Sequence, residues 1–289
     1  MPRAIDLHIH PPVDDRPAIR AEQERVSKYF RSEPLPRDSA EMADYYAELD
    51  IVGLLLTIDA TTARNDPGAG NDYIASLVKK YPRQFPIGFG SVDPLAPGAV
   101  EDINRAVEGL GLRGIKYHPS LQEFFPGEAR FYAQYSECAR LGAPIMFHTG
   151  MTGIGAGQPG GGGVRTKYCR PIPDLDDIAV EFPELTIIMA HQAWPWVQEQ
   201  LAVLVHKPNV YMELSGYSPK YLDPSVITYA NFRTTDKMMF GSDYPWIRPK
   251  RWLDDFEAAD FRPEVRRRLL YDNAARLFGL EESFPFSGE

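Results

Sequence analysis

Eight short apolar, β-branched runs alternate with longer amphipathic segments along this 289-residue chain, and that alternation narrows its fold more than any other feature. The runs fall at about residues 4–10, 50–58, 85–92, 112–118, 143–149, 185–190, 210–215 and 237–242, short enough to be strands. Helical periodicity separates them near 71–80, 98–109, 128–141, 174–182, 195–206, 222–231 and 249–258. Strands that alternate with helices make a parallel sheet covered by helices. Eight repeats predict a closed (β/α)8 TIM barrel, an α/β fold, with residues 1–289 as a single domain. Two C-terminal helices follow at 263–270 and 272–279, the second stopped by Gly279. Two segments exceed a minimal barrel. Residues 11–49 are too long for one crossover and predict a helical insertion, with helices from Glu22 to Phe30 and from Ser39 to Leu49. Residues 151–173 are Gly-rich and aperiodic, which marks an active-site loop. Both follow the C-terminal ends of strands, the face where such barrels build their sites.

Composition excludes several functions. A net charge of −9 opposes nucleic acid or an anionic membrane as the main partner, because both call for a basic face. Cys138 and Cys169 are the only cysteines, too few for a disulfide framework, and they fit a reducing compartment. No apolar stretch approaches the ~18 residues that span a bilayer, and Met1-Pro-Arg-Ala-Ile-Asp6 leads directly into the first strand. The expected location is cytoplasmic.

Polar residues recur where the strands end. Asp6-Leu-His8-Ile-His10 closes the first run, Ile145-Met-Phe-His148-Thr-Gly the fifth and Ile187-Ile-Met-Ala-His191 the sixth; Met239-Phe-Gly-Ser-Asp243-Tyr-Pro closes the eighth. Residues two apart on a strand share a face, which pairs His8 with His10, Met146 with His148, Met189 with His191, and Met239 with Gly241 and Asp243. Barrel strands converge such residues on one rim. Imidazoles with one carboxylate suit a borderline-soft divalent ion such as zinc, against the alternative of unrelated rim residues. An acid after Met238-Met-Phe-Gly-Ser is costly to bury unless paired or bound to a cation. His118 shares a face with Lys116 after the fourth strand and reads as pocket lining, while His206 reads as a helix-end residue without chemistry.

The order of these motifs resembles the amidohydrolase superfamily. Gly114-Ile-Lys-Tyr-His-Pro119, Phe147-His-Thr-Gly150, Ala190-His-Gln-Ala-Trp-Pro195, Phe240-Gly-Ser-Asp-Tyr-Pro245 and Asp272-Asn-Ala-Ala-Arg-Leu-Phe-Gly279 are similar to the amidohydrolase-related branch that contains aminocarboxymuconate-semialdehyde decarboxylase. The resemblance spans nearly the whole chain. It implies that His8, His10, His148 and Asp243 hold one zinc-like ion, that His191 and Asp243 are catalytic, and that the protein is a homodimer. Two-metal members of the superfamily carry a carbamylated lysine at the end of the fourth strand, a place that Lys116 occupies here. The branch itself is typically mononuclear, so one ion is expected, and Lys116 is then free to meet a substrate carboxylate or carbonyl as a point charge.

The loop at 151–173 contains Gly155-Ala-Gly-Gln-Pro-Gly160, a literal but false dinucleotide fingerprint, because no helix starts directly after it. It continues into Arg165-Thr-Lys167-Tyr-Cys-Arg170. Glycines that let backbone N–H groups approach an anion, beside three cations, predict a lid over a small anionic substrate, a carboxylate or an acyl-CoA. Tyr168, Trp194, Trp196 and Trp246 are candidates for an aromatic wall.

Three functions are compatible with this set. The first is metal-assisted hydrolysis, including cleavage of a carbon–carbon bond in a β-keto compound, with Asp243 relaying the water's proton and His191 facing the carbonyl. The second is non-oxidative decarboxylation of an aromatic or muconate-type acid by the same residues. The third is a non-catalytic barrel that only binds metal.

Overall fold

The computed structural model describes residues 2–13, 17–32 and 34–281. Eight parallel strands lie inside the expected runs: β1 (Ala4–Ile9), β2 (Ile51–Leu56), β3 (Ile87–Phe89), β4 (Ile115–Tyr117), β5 (Ile145–His148), β6 (Ile187–Ala190), β7 (Val210–Glu213) and β8 (Met238–Met239). They pair in chain order as β1-β2-β3 and β4-β5-β6-β7-β8. Two seams join these groups. Gly90 bridges to Ile115, with Lys116 N–H donating to Gly90 O at 2.7 Å. Past β8, Leu7 N–H donates to Phe240 O at 3.1 Å and His10 N–H to Tyr244 O at 2.8 Å, which closes the barrel.

Strands in such a barrel are covered on both faces and therefore read as nearly unbroken apolar runs. Ile5, Leu7, Val52, Leu54, Met146, Ile188 and Met239 form the inner cluster. Ala274, Ala275 and Phe278 of the last helix (Asn273–Phe278) pack against it and plug one end. Asn273 Nδ2 donates to Met238 O at 2.8 Å, which ties that helix to β8, and Gly279 ends it at φ 60° as expected. The alternate residues, among them Ile51, Leu55, Ile145, Phe147, Ile187 and Met189, pack outward on the helical layer.

One irregularity places the first two histidines. Ile5 and Leu7 point inward, so strict alternation would turn His8 and His10 outward. Between Asp6 and Ile9, however, the register against β2 advances from Gly53 only to Leu55. The extra residue on β1 is a bulge, and it reverses the parity, so Ile9 joins the outer cluster and both histidines enter the barrel mouth.

The expected insertion helices are present as Pro17–Phe30 and Ser39–Glu48; residues 14–16 and 33 of that segment lie outside the described residues. Asp38 caps the second helix by accepting from Ala40 and Glu41 N–H, both at 2.9 Å. The first helix leans on the Gly-rich loop, where Arg25 Nη1 donates to Ala156 O at 3.0 Å. Ring atoms of Phe30 and Tyr29 lie where side chains at 153 and 157 would go, so any larger residue there would displace them. Within that loop a left-handed run of glycines, Gly160–Gly162 at φ 61°, and a 3-10 turn, Thr166–Cys169, replace regular structure. Among the described residues no helix is long and apolar enough to cross a membrane.

Candidate active site

Alternation brings Lys116 and His118 from the end of β4, His148 from β5 and Glu213 from β7 to the same barrel mouth. His191 arrives differently. Met189 packs outward and Ala190 inward, so the expectation that Met189 and His191 share a face is wrong. His191 adopts φ 70°, in the left-handed region that non-glycine residues rarely visit, and this turn swings the imidazole into the cavity. The buried Gln200 amide holds the turn: its Nε2 donates to His191 O at 2.8 Å and its Oε1 accepts from Ala193 N–H at 2.8 Å. Asp243 is also left-handed, at φ 72°, with its N–H on His8 O at 3.1 Å. Ser242 beside it donates through N–H and Oγ to the buried Asp6 carboxyl, which also accepts from Tyr46 Oη at 2.8 Å.

His8 Nε2 and His10 Nε2 are 3.2 Å apart, and Asp243 Oδ1 lies 3.6 Å from the first and 3.5 Å from the second. His8 Nδ1 is 2.7 Å from Glu213 Oε1, so the Nδ1–H donates to the carboxylate and Nε2 is left as the acceptor. A ring nitrogen from each histidine and a carboxylate oxygen, converging from three chain positions, suit a divalent cation between them. No ion fits between His8 Nδ1 and Glu213, which are already in hydrogen-bond contact. His148 stands beside this triad with Nε2 buried and unpartnered among the described residues. Its ring stacks on His118 at 3.9 Å and meets His191 at 4.5 Å. The donor set therefore fits a metal held by His8, His10 and Asp243, with His148 at hand.

Glu213 is the residue that sequence reasoning missed. Fully buried, it also accepts from Ser215 Oγ at 2.9 Å and Ser215 N–H at 2.8 Å. Ser215 Oγ, having given its proton away, accepts from His191 Nδ1 at 2.7 Å. One carboxylate thus orients both His8 and His191 and selects the tautomer of each. Glycine is required on both sides of this chain of contacts. A side chain at Gly241 would collide with Glu213, and a Cβ at Gly216 (φ 75°) would come within 2.6 Å of His191 Nδ1. The available signal was an acid flanked by apolar residues, Val210-Tyr-Met-Glu213-Leu, at the end of a strand. Glu213→Gln, which keeps the shape but offers an amide to three donors, is expected to weaken metal affinity about 10- to 100-fold. Competition against a chelating dye measures this, and an unchanged affinity would remove Glu213 from the site.

Burial dominates the protonation states. It pushes His8, His118, His148 and His191 below the usual imidazole range, which leaves neutral rings with lone pairs for a metal or substrate. Burial alone would raise Asp243, but its hydrogen bond to His10, with the pull of the surrounding imidazoles, holds the carboxyl below the usual carboxylate range. Burial lowers Lys116 from 10.5 to about 8, against the pull of Glu213 and Asp243. Its Nζ is buried without a partner among the described residues.

These groups sit at the floor of a cavity of about 590 Å³. The walls are largely apolar, with Val26 and Phe30 from the insertion, Ile58, Met151 and Ile154, and Trp194 at the rim, 55% exposed. Arg165, Lys167 and Arg170 do not line it, contrary to the expected role of the loop's cations. Arg165 pairs with Glu123 at 3.5 Å, Arg170 grips Glu199 at 2.7 Å, and Lys167 lies 5.2 Å from the Phe125 ring centre. Of the four candidate aromatics, Trp194 and Trp246 line the cavity and Tyr168 and Trp196 do not. Arg251, not singled out in the sequence, is exposed at its edge. His206 ends its helix (Val197–His206), as expected, with Nδ1 3.1 Å from Lys207 Nζ.

Residues 5–280 match the family model described as Amidohydrolase. A 2-amino-3-carboxymuconate-6-semialdehyde decarboxylase of Dictyostelium discoideum is 22% identical over 239 residues, which are 73% of this chain and 66% of that protein, just under two thirds of its length. An uncharacterized TIM-barrel protein from Bordetella bronchiseptica superposes with a TM-score of 0.79 at 26% identity, covering 96% of this chain and 98% of that one. A 2,6-dihydroxybenzoate decarboxylase from Rhizobium does so at 0.67 and 17%, covering 97% and 100%. A dihydroxybenzoic acid decarboxylase from Polaromonas sp. JS666, solved with bound manganese and the inhibitor 2-nitroresorcinol, does so at 0.60 and 18%, covering 99% and 100%. At such identities the two decarboxylases are evidence for the barrel alone.

Proposed function

The chain belongs to the amidohydrolase family, and on that premise we propose that it is a metal-dependent, non-oxidative decarboxylase of an aromatic or muconate-type acid. The observation that carries this reading is the meeting of His8, His10 and Asp243 with the unpartnered ammonium of Lys116 in one apolar-walled cavity. The 22%-identical relative named as a decarboxylase supports it ahead of hydrolysis, the reaction that the sequence placed first. The outward-facing Arg165, Lys167 and Arg170 also remove the anchor that a long acyl-CoA would have used.

In this reading His8, His10, His148 and Asp243 hold one divalent ion, manganese or zinc. When bound, it supplies a Lewis acid that gathers substrate oxygens and spreads the negative charge that develops on them. Lys116 pairs with the substrate carboxylate, and the apolar walls exclude water from it. The bond from the carboxyl carbon to the ring or chain carbon breaks, carbon dioxide leaves, and the electron pair stays on the remaining carbon. One proton from solvent, taken up by Asp243 before the substrate closes the cavity, passes to this carbon, and the carboxylate returns to its ionised form. His191, its Nδ1–H held by Ser215, faces the reacting carboxylate through its other nitrogen.

Metal-loaded protein is expected to release carbon dioxide from one or more hydroxybenzoates or carboxymuconates, to fall silent on chelation, and to recover with added manganese or zinc. Hydrolysis of lactones or β-ketoacyl thioesters, with no carbon dioxide from any acid in the panel, would replace decarboxylation by the hydrolytic reading.

A further inference from the structure

Trp246 follows Asp243 by one turn, its N–H donating to Asp243 O at 3.0 Å, so the same backbone turn sets the carboxylate and the indole. The indole tilts over His10, with ring centres 4.9 Å apart and planes at 59°. It lines the cavity, yet its Nε1–H is buried and finds no acceptor among the described residues. Folded proteins satisfy nearly all such groups, and an indole N–H can only donate, so the absent partner is an acceptor. Three acceptors of the same cavity are committed elsewhere. His8 Nε2, His10 Nε2 and Asp243 Oδ1 converge on one another, and the neighbouring cavity walls at Ile58 and Ile247 are apolar. An oxygen entering the cavity can supply the acceptor that the protein does not.

We propose that Trp246 is a specificity-determining residue whose indole N–H donates to a second oxygen of the substrate, apart from the carboxylate that Lys116 takes. The inference rests on the decarboxylase reading and narrows its substrates to acids that carry a hydroxyl or carbonyl oxygen near the carboxylate. A site built around a hydrogen bond rejects an analogue lacking the partner group, because its own buried donor is then left desolvated and unpaired. An acid without that oxygen therefore binds more weakly for a reason unrelated to size.

Trp246→Phe retains an aromatic body and removes the donor. Calorimetric titration of the manganese-loaded wild-type and variant proteins with 2-hydroxybenzoate and with benzoate tests the assignment. The variant is expected to lose about tenfold in affinity for 2-hydroxybenzoate and to bind benzoate as the wild type does. Equal losses for both acids, or none, would show that the indole only packs or is satisfied by water, and the proposal falls. So does wild-type protein that binds neither acid. A second measurement needs no variant: in 15N-labelled protein loaded with zinc, the Trp246 indole N–H resonance is expected to move downfield with 2-hydroxybenzoate and to stay in place with benzoate. Carbon dioxide is assayed on the same samples. Selective binding without its release would overturn decarboxylation and leave the Trp246 assignment standing.

Discussion

Asp243→Asn is expected to give a folded protein with little bound metal and with carbon dioxide release at about a thousandth of the wild-type rate or less. The fold should survive because the turn at 243 is held by groups other than this carboxylate. Asp243 N–H bonds to His8 O, and Ser242 is anchored on Asp6. The function should not survive, because the carboxylate has two uses. It is the only anion within 3.6 Å of both His8 Nε2 and His10 Nε2 among the described residues, so its charge is what fits this pair to a cation. It is also the proton carrier in the proposed reaction, and an amide cannot carry that proton. Metal analysis, thermal melting and carbon dioxide release on one preparation separate these effects. An Asp243→Asn protein that retains both metal and turnover would remove Asp243 from the centre altogether.

Lys116→Met is expected to act in opposite directions on function and stability. Binding of the acid should weaken about a hundredfold, since a buried charge-assisted hydrogen bond is lost. Stability of the chelated protein should rise at pH 7. Burial lowers the Lys116 ammonium from 10.5 to about 8, a penalty on the order of 3 kcal/mol, of which Glu213 and Asp243 lose a little back when their neighbouring cation goes. The sign follows from the protons bound. Between pH 8 and 10.5 the unfolded chain still holds the lysine proton and the folded chain has released it, so wild-type stability climbs with pH across that window. Below pH 8 the penalty is present in full. The variant, lacking it, should melt about 5 °C higher at pH 7, and the difference should shrink towards pH 10. A variant that melts below the wild type at pH 7 would mean that Lys116 is held by a partner in the native protein.

The eight strands were readable because strands covered on both faces must be apolar nearly throughout, and turn residues punctuate them. The histidines were readable for a related reason: polar groups at the ends of such runs have little other use there. Glu213 escaped notice although it obeys the same grammar, since a lone acid closing a strand looks like an ordinary surface charge until its burial is known. Arg165, Lys167 and Arg170 misled in the reverse sense. Three cations close in sequence suggested an anion site, but charge says nothing about direction, and the loop turns them towards Glu123, Glu199 and Phe125.

Sequence alone determined the alternation that makes a barrel and the kinds of side chain that gather at its mouth, because both follow from burial period and residue chemistry, which are local. Only tertiary structure decided which way several of those side chains face. A one-residue bulge in β1 brings His8 and His10 inward, and a left-handed turn, held by Gln200 from the helix that follows, does the same for His191. Facing is a property of strand register and backbone handedness, set by contacts outside the strand itself, and a period of two cannot reveal where it is broken.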